Sequence, residues 1–139
     1  MFPSGTIVNT ACVYGPSHKD DKAFWELVKS QLDLRNSLGG KIILGDYNVS
    51  LNFSRDTSNY LTDPHKHSRI IINQWIFNGE YVDVYDELHP GKSSYTWSKS
   101  SDFLRKDGDP NIRNAALGKQ SRIDHILISP NLLHAVKKM

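Results

Sequence analysis

Short apolar runs separated by polar stretches set the pattern of this chain. Ile7-Val8 and Cys12-Val13-Tyr14 are β-formers and predict a strand over residues 6–14, stopped by Gly15-Pro16. Ser17 is then a candidate N-cap, with Asp20 and Asp21 in a first helical turn where the dipole favours anions. Phe24, Leu27, Val28, Gln31 and Leu32 follow at helical spacing, an apolar stripe interrupted only by Gln31, and Gly39-Gly40 ends it. Ile42-Ile43-Leu44 reads as a short buried strand over 41–44. Strand, helix, strand predicts a parallel pair covered by its crossover helix.

Residues 49–63 are polar and irregular and predict a long loop. Asp63-Pro64 reads as a helix start with Pro at the first helical position. Ile71 and Trp75, with Ile72 and Ile76, supply an inner face, and Asn78-Gly79 supplies the stop. Residues 81–85 fit a short strand and a helical turn equally. Residues 94–98 predict a strand, and 99–120 form the least structured segment, with a solvated turn at 107–110. Asp107-Gly108-Asp109-Pro110 lacks the later ligands of a calcium loop. Residues 122–129 alternate and then become continuously apolar, predicting a strand, and Pro130 opens a short helical end over 131–138. This order gives an α/β class with a mixed sheet, in one domain over 1–139.

Composition narrows the picture modestly. A hydrophobic fraction of 38% and a mean hydropathy of -0.49 sit on the polar side, and no apolar run approaches a membrane span. The first residues lack a secretory pattern, so the sequons Asn48-Val49-Ser50 and Asn52-Phe53-Ser54 carry no weight. Cys12 is the single cysteine, which precludes an internal disulfide and agrees with an intracellular place, nuclear or cytoplasmic. The net charge of +2 permits a nucleic-acid or phosphate partner without requiring one, and no obligate protein partner is evident.

Candidate chemistry centres on Gly45-Asp46-Tyr47-Asn48. The motif follows a strand, where open α/β sheets place ligands. In an extended segment Asp46 and Asn48 would face one cleft, a carboxylate and an amide suited to a divalent cation and a phosphate oxygen. Taken alone, a polar turn explains the motif better. Tyr14 ends its strand before Gly-Pro and reads either as a cleft hydroxyl or as a packing residue. Asp124, inside an apolar strand, needs a partner, and an ion pair with Arg122 accounts for it as well as a functional role does. His125 should point to the opposite face, which excludes a dyad with Asp124. Trp97 reads as core. His65 and His67 have a metal-like spacing, but nothing completes a zinc site. Neither a Ser-His-Asp arrangement nor a phosphate-binding glycine loop is present.

The order of the pieces is more specific than any one of them. Tyr14-Gly15-Pro16, then Ile42-Ile43-Leu44-Gly45-Asp46-Tyr47-Asn48, then Tyr95-Thr96-Trp97, then Ser121-Arg122-Ile123-Asp124-His125-Ile126-Leu127 resembles the endonuclease/exonuclease/phosphatase superfamily. The closest flavour is the apurinic-like endonuclease domain of LINE-type (non-LTR) retrotransposons. The resemblance implies a four-layer α/β sandwich of two mixed sheets flanked by helices. It implies Mg²⁺- or Mn²⁺-dependent hydrolysis of a DNA phosphodiester. Asp46 would position and deprotonate the attacking water, and Asp46 with Asn48 would hold the metal. Asn48 would also hold the phosphate, Tyr14 would donate to it, and Asp124 would orient a catalytic histidine. Thr96, Trp97 and Arg122 would line the nucleic-acid groove.

Departures from the family are equally specific. Its opening strand with an asparagine, its metal-binding glutamate and its closing Ser-Asp-His segment have no counterpart, and His134 sits in the wrong context. Ser17 stands where members often carry Asn. The expectation is a domain truncated at both ends, with incomplete sheets, weak cation binding and a raised barrier. Two other readings compete: a non-catalytic remnant that still binds nucleic acid, and an inositol-phosphate or sphingolipid phosphodiesterase of the same superfamily.

Overall fold

A computed structural model describes residues 7–35, 39–60, 62–98 and 119–137. Its first unit is β1 (Asn9–Tyr14), α1 (Lys22–Asp33) and β2 (Lys41–Asp46), with β1 and β2 parallel as the sequence predicts. Next come α2 (Phe53–Asp56), β3 (Thr57–Ser58), α3 (Lys66–Phe77), β4 (Val82–Asp83) and α4 (Val84–Leu88). The last elements are β5 (Trp97–Ser98), β6 (Gln120–Ser121), β7 (Asp124–Ile128), a 3₁₀ turn (Pro130–Leu132) and α5 (Leu133–Lys137).

Among the described residues the strands form two sheets. One is mixed, in the order β1-β2-β7-β4, and the other is antiparallel, in the order β3-β6-β5. Helices cover one face of the larger sheet. There Ile43 and Leu127 pack with Trp25, Tyr47, Ile72, Trp75 and Tyr81 in a continuous core. The opposite face carries Cys12, Leu44 and Ile126, of which Cys12 and Ile126 are exposed. Among the described residues no helix is long and apolar enough to cross a membrane.

Several boundaries differ from expectation for tertiary reasons. The buried side of α1 runs through Trp25, Val28 and Leu32, whereas Leu27 is 58% exposed. The indole decides this rotation, because it packs against Tyr47 at 4.9 Å and Trp75 at 6.4 Å between ring centroids. Ser17 does not cap α1. Asp21 does, accepting the Phe24 N–H, while Asp20 reaches across to α3 and accepts the N–H groups of His67 and Ser68. Burial by itself would raise the Asp20 pKa, but the bonds from Ser68 and His67 outweigh it and hold the carboxyl well below its usual range.

α3 starts at Lys66, so Pro64 lies outside it, and Asp63 serves instead as the ion-pair partner of Arg69. The loop expected over 49–63 contains α2 and β3, with the Asn52 side chain accepting the Arg55 N–H as a cap. Residues 81–85 are both alternatives in turn, β4 followed by α4. The predicted 94–98 strand shortens to β5. Gln120, placed in the least structured segment by sequence, belongs to β6. The basic stretch and calcium-loop look-alike of 99–118 lie outside the described residues.

Candidate active site

Register brings the site together. Tyr14 on β1 lies opposite Asp46 on β2, and Asp46 lies opposite Asp124 on β7. Residues opposite one another project from the same face, so the three side chains form one row across adjacent strands. One step further, the Tyr47 N–H donates to the Ile123 carbonyl at 2.8 Å. Antiparallel pairs alternate, so Asp46 and Asp124 occupy a non-hydrogen-bonded pair, where facing Cα atoms approach to about 4.5 Å. Among the described residues neither carboxylate has an ion pair. The pairing of Asp124 with Arg122 considered from sequence is absent. Tyr14, at 73% exposure, presents its ring to solvent beside them.

The chain reaches this geometry through two glycines and one left-handed asparagine. Gly45 has φ +136°, and a Cβ there would lie 2.1 Å from the Val13 carbonyl oxygen. A Cβ on Gly15 would lie 2.1 Å from the Tyr47 carbonyl oxygen. Beyond Asp46 the strand ends, and Asn48 adopts φ 54°. Its N–H donates to Asp46 Oδ1 at 2.9 Å, and its side-chain Nδ2 donates to the Gly15 carbonyl at 2.7 Å.

This turn breaks the alternation assumed from sequence, and Asp46 and Asn48 do not share a cleft. Asp46 lines one with Asp124, Tyr85 and Ile126. Asn48 lines a separate cleft of about 180 Å³ with Trp97, Tyr60, Phe53, His65 and Arg69. The two residues remain linked by their hydrogen bond.

The expected groove residues divide. Trp97 is 40% exposed and belongs to the Asn48 cleft, not to the core. Thr96 is taken up by structure, because its Oγ1 accepts the N–H groups of Ile123 and Asp124 at 3.0 and 3.2 Å and so fixes the entry to β7. Arg122 is 2% exposed and cannot reach a phosphate. Its guanidinium donates to Asp56 and Asp83, both buried, and lies 4.5 Å from the Tyr85 ring centroid. A buried arginine must be paired in this way, and two carboxylates satisfy it.

Sequence reasoning put His125 on the face opposite Asp124, as the structure does, and gave it no role. It is buried behind Asp124, with Nε2 2.6 Å from the Val49 carbonyl and Nδ1 3.2 Å from Arg122 Nη1. Burial chiefly, with Arg122 adding to it and the Val49 bond opposing, pushes its pKa down to about 4. The demand for a partner raised for Asp124 applied with greater force to this neighbour, which points into the core. Tyr60, Phe53 and Arg69 at the Asn48 cleft carried no local signal.

The donor chemistry fits a hard divalent cation at Asp46. One carboxylate oxygen accepts from Asn48, and the other has no hydrogen-bond or ion-pair partner among the described residues. A cation there would also relieve the repulsion between Asp46 and Asp124. Among the described residues no three His, Cys, Asp or Glu side chains converge, so Asp46 would need ligands from elsewhere.

No family model matches the sequence, and no curated protein does. Solved structures do. An AP endonuclease from Archaeoglobus fulgidus aligns with 91% of this chain and 51% of its own, at 21% identity and a TM-score of 0.63. The 3′-5′ exonuclease NExo from Neisseria meningitidis aligns with 91% and 50%, at 22% identity and a TM-score of 0.57. The 3′ phosphatase NExo from Neisseria, bound to a product DNA hairpin, aligns with 90% and 49%, at 23% identity and a TM-score of 0.52. The chain has their fold. It spans about half the length of these structures, so the two sheets flanked by helices correspond to part of theirs.

Proposed function

We propose that the Tyr14–Asp46–Asp124 row, with Asn48 beside it, is built for metal-assisted hydrolysis of a DNA phosphodiester, as in LINE-type retrotransposon endonucleases. On this reading the chain is a member of the endonuclease/exonuclease/phosphatase superfamily. The observation that carries the proposal is the register that sets three separate motifs side by side at one sheet edge. The fold shared with DNA-processing proteins supports the substrate class.

Asp46 would hold Mg²⁺ or Mn²⁺, and its carboxylate would take a proton from the attacking water. When bound, the cation supplies charge neutralisation at the phosphate and a more acidic water. Asn48 has committed one amide hydrogen to Gly15 and offers the other to a phosphate oxygen or, through Oδ1, an oxygen to the cation. Tyr14 donates its hydroxyl to the scissile phosphate. Asp124 orients a histidine supplied from outside these residues. Trp97 gives a stacking surface to the nucleic acid, in the cleft that Asn48 also lines.

Conversion of supercoiled plasmid to nicked circles tests this. Slow nicking is expected with Mn²⁺ or Mg²⁺, lost on chelation and reduced roughly 10²-fold or more by Asp46→Ala. Absence of nicking at high protein concentration sinks catalysis by this chain. A second reading, a non-catalytic remnant that binds nucleic acid, draws on the lack of a convergent metal-ligand group among the described residues. Retention of DNA that Trp97→Ala weakens, without nicking, is its signature.

A further inference from the structure

His125 ties two parts of the site together. Its ring lies in the core at 3% exposure, at a steep angle to Tyr47 with centroids 4.9 Å apart. Nδ1 is 3.2 Å from Arg122 Nη1, and a guanidinium can only donate. Nδ1 must therefore accept, which leaves the ring proton on Nε2, and Nε2 donates to the Val49 carbonyl at 2.6 Å. Arg122 is not free to turn away, because its other nitrogens are committed to Asp56 and Asp83. A second tie runs alongside: Ser50 Oγ donates to the Arg122 carbonyl at 2.9 Å.

The clamped carbonyl belongs to the residue after Asn48. Asparagine tolerates the left-handed conformation better than other residues with a side chain, but the conformation still costs free energy, so contacts that fix the turn decide how firmly it is held. Here both bonds of Asn48, to Asp46 Oδ1 and to the Gly15 carbonyl, depend on that conformation. We infer that His125 is a positioning residue for Asn48: its Nε2–H tautomer, set by Arg122, clamps the Val49 carbonyl and so holds the left-handed turn that links Asn48 to Asp46. The low pKa of the ring keeps it neutral near pH 7, so the tautomer persists there. The bearing on chemistry rests on Asn48 touching the phosphate, as proposed above, whereas the readouts below need no turnover.

Nitrogen-15 NMR of the wild-type chain at pH 7 should show the His125 Nε2–H tautomer, and a ring protonated at Nδ1 overturns the inference. Hydrogen exchange gives the second readout. His125→Phe keeps an aromatic ring but no nitrogen, and should raise exchange at the Asn48 amide about tenfold, the order of one lost buried hydrogen bond. Amides of Ile43 and Leu127 should keep their protection. His125→Gln, which retains a donor at similar reach, should restore much of the Asn48 protection. Unchanged exchange at Asn48 in folded His125→Phe, or an equal rise at Ile43 and Leu127, refutes positioning. If His125→Phe does not fold, the wild-type tautomer decides. Tautomer and exchange as expected without plasmid nicking would remove the hydrolytic reading and leave the clamp standing.

Discussion

In the larger sheet, β1 and β2 have six residues, β7 five and the edge strand β4 two, whereas among the described residues each strand of the smaller sheet has two. Length goes with the force that holds them. Ile43 and Leu127 pack fully buried on one face of the larger sheet, so a one-residue slip would expel them, and apolar burial thereby fixes the register. The smaller sheet buries no large apolar side chain of its own and is pinned by polar contacts. Arg122 N–H bonds the Asp56 carbonyl, its guanidinium bonds the Asp56 carboxylate, and the Thr96 N–H bonds the Ser121 carbonyl. The row of candidate catalytic residues rides on the sheet fixed by burial. The residues beneath and beside it are steadied by ion pairs.

That contrast can be broken at Arg122. Arg122→Ala leaves Asp83 buried without its cation and Asp56 with Arg55 alone, and should cost about 3–5 kcal/mol in urea denaturation. A loss below about 1 kcal/mol would mean that the ion pairs hold little and the smaller sheet is steadied otherwise.

Acid should act next, through His125. Its folded pKa of about 4 lies below the ordinary 6.5, so the unfolded chain takes up the proton first. Stability from this group is therefore complete above about pH 6.5 and is lost as pH falls towards 4, by about 3 kcal/mol in all. The groups around the ring are Arg122, Asp56 and Tyr47, and Asp56, which burial would raise but Arg55 and Arg122 hold below its ordinary value, titrates at lower pH. Denaturation midpoints at pH 7 and pH 4.5 should converge in His125→Gln; an unchanged pH slope in that variant contradicts the assignment.

The smallest effect sharpens the picture of the row. Asp124→Asn removes one of two facing like charges, so metal-free protein should gain roughly 0.2–1 kcal/mol. Calorimetry with and without Mn²⁺ checks this. Destabilisation by the same change would show that the carboxylates do not repel in the free protein.

The larger sheet was legible because its signals are local. The apolar run 42–44, the glycines around it and the helical spacing in α1 and α3 placed the βαβ unit, and motif order pointed to Tyr14, Asp46, Asn48 and Asp124. What the sequence could not show was adjacency. β7 sits between β2 and β4, and only the three-dimensional register sets Asp124 beside Asp46. Arg122 looked like a surface cation because its partners Asp56 and Asp83 lie 66 and 39 residues away. Helix starts failed for the same reason: Asp20 caps a helix 48 residues on, a contact no window around Ser17 contains. The left-handed turn at Asn48 was a local feature missed, and the asparagine itself is its modest signal.

The late arrival of β7 also dictates how the molecule comes into being. The bond from His125 to Val49 closes a loop of 76 residues, and every contact of β7 with β2 is of that long range. Closing such loops costs chain entropy before any contact rewards it, so this pairing belongs to the slow part of folding. As a nascent chain emerges, β1, α1 and β2 can associate early, with the β2 edge waiting for its partner. The carboxylate row and the sheet that carries it are then completed in the same step. No partly folded form lacking β7 holds Asp46 opposite Asp124.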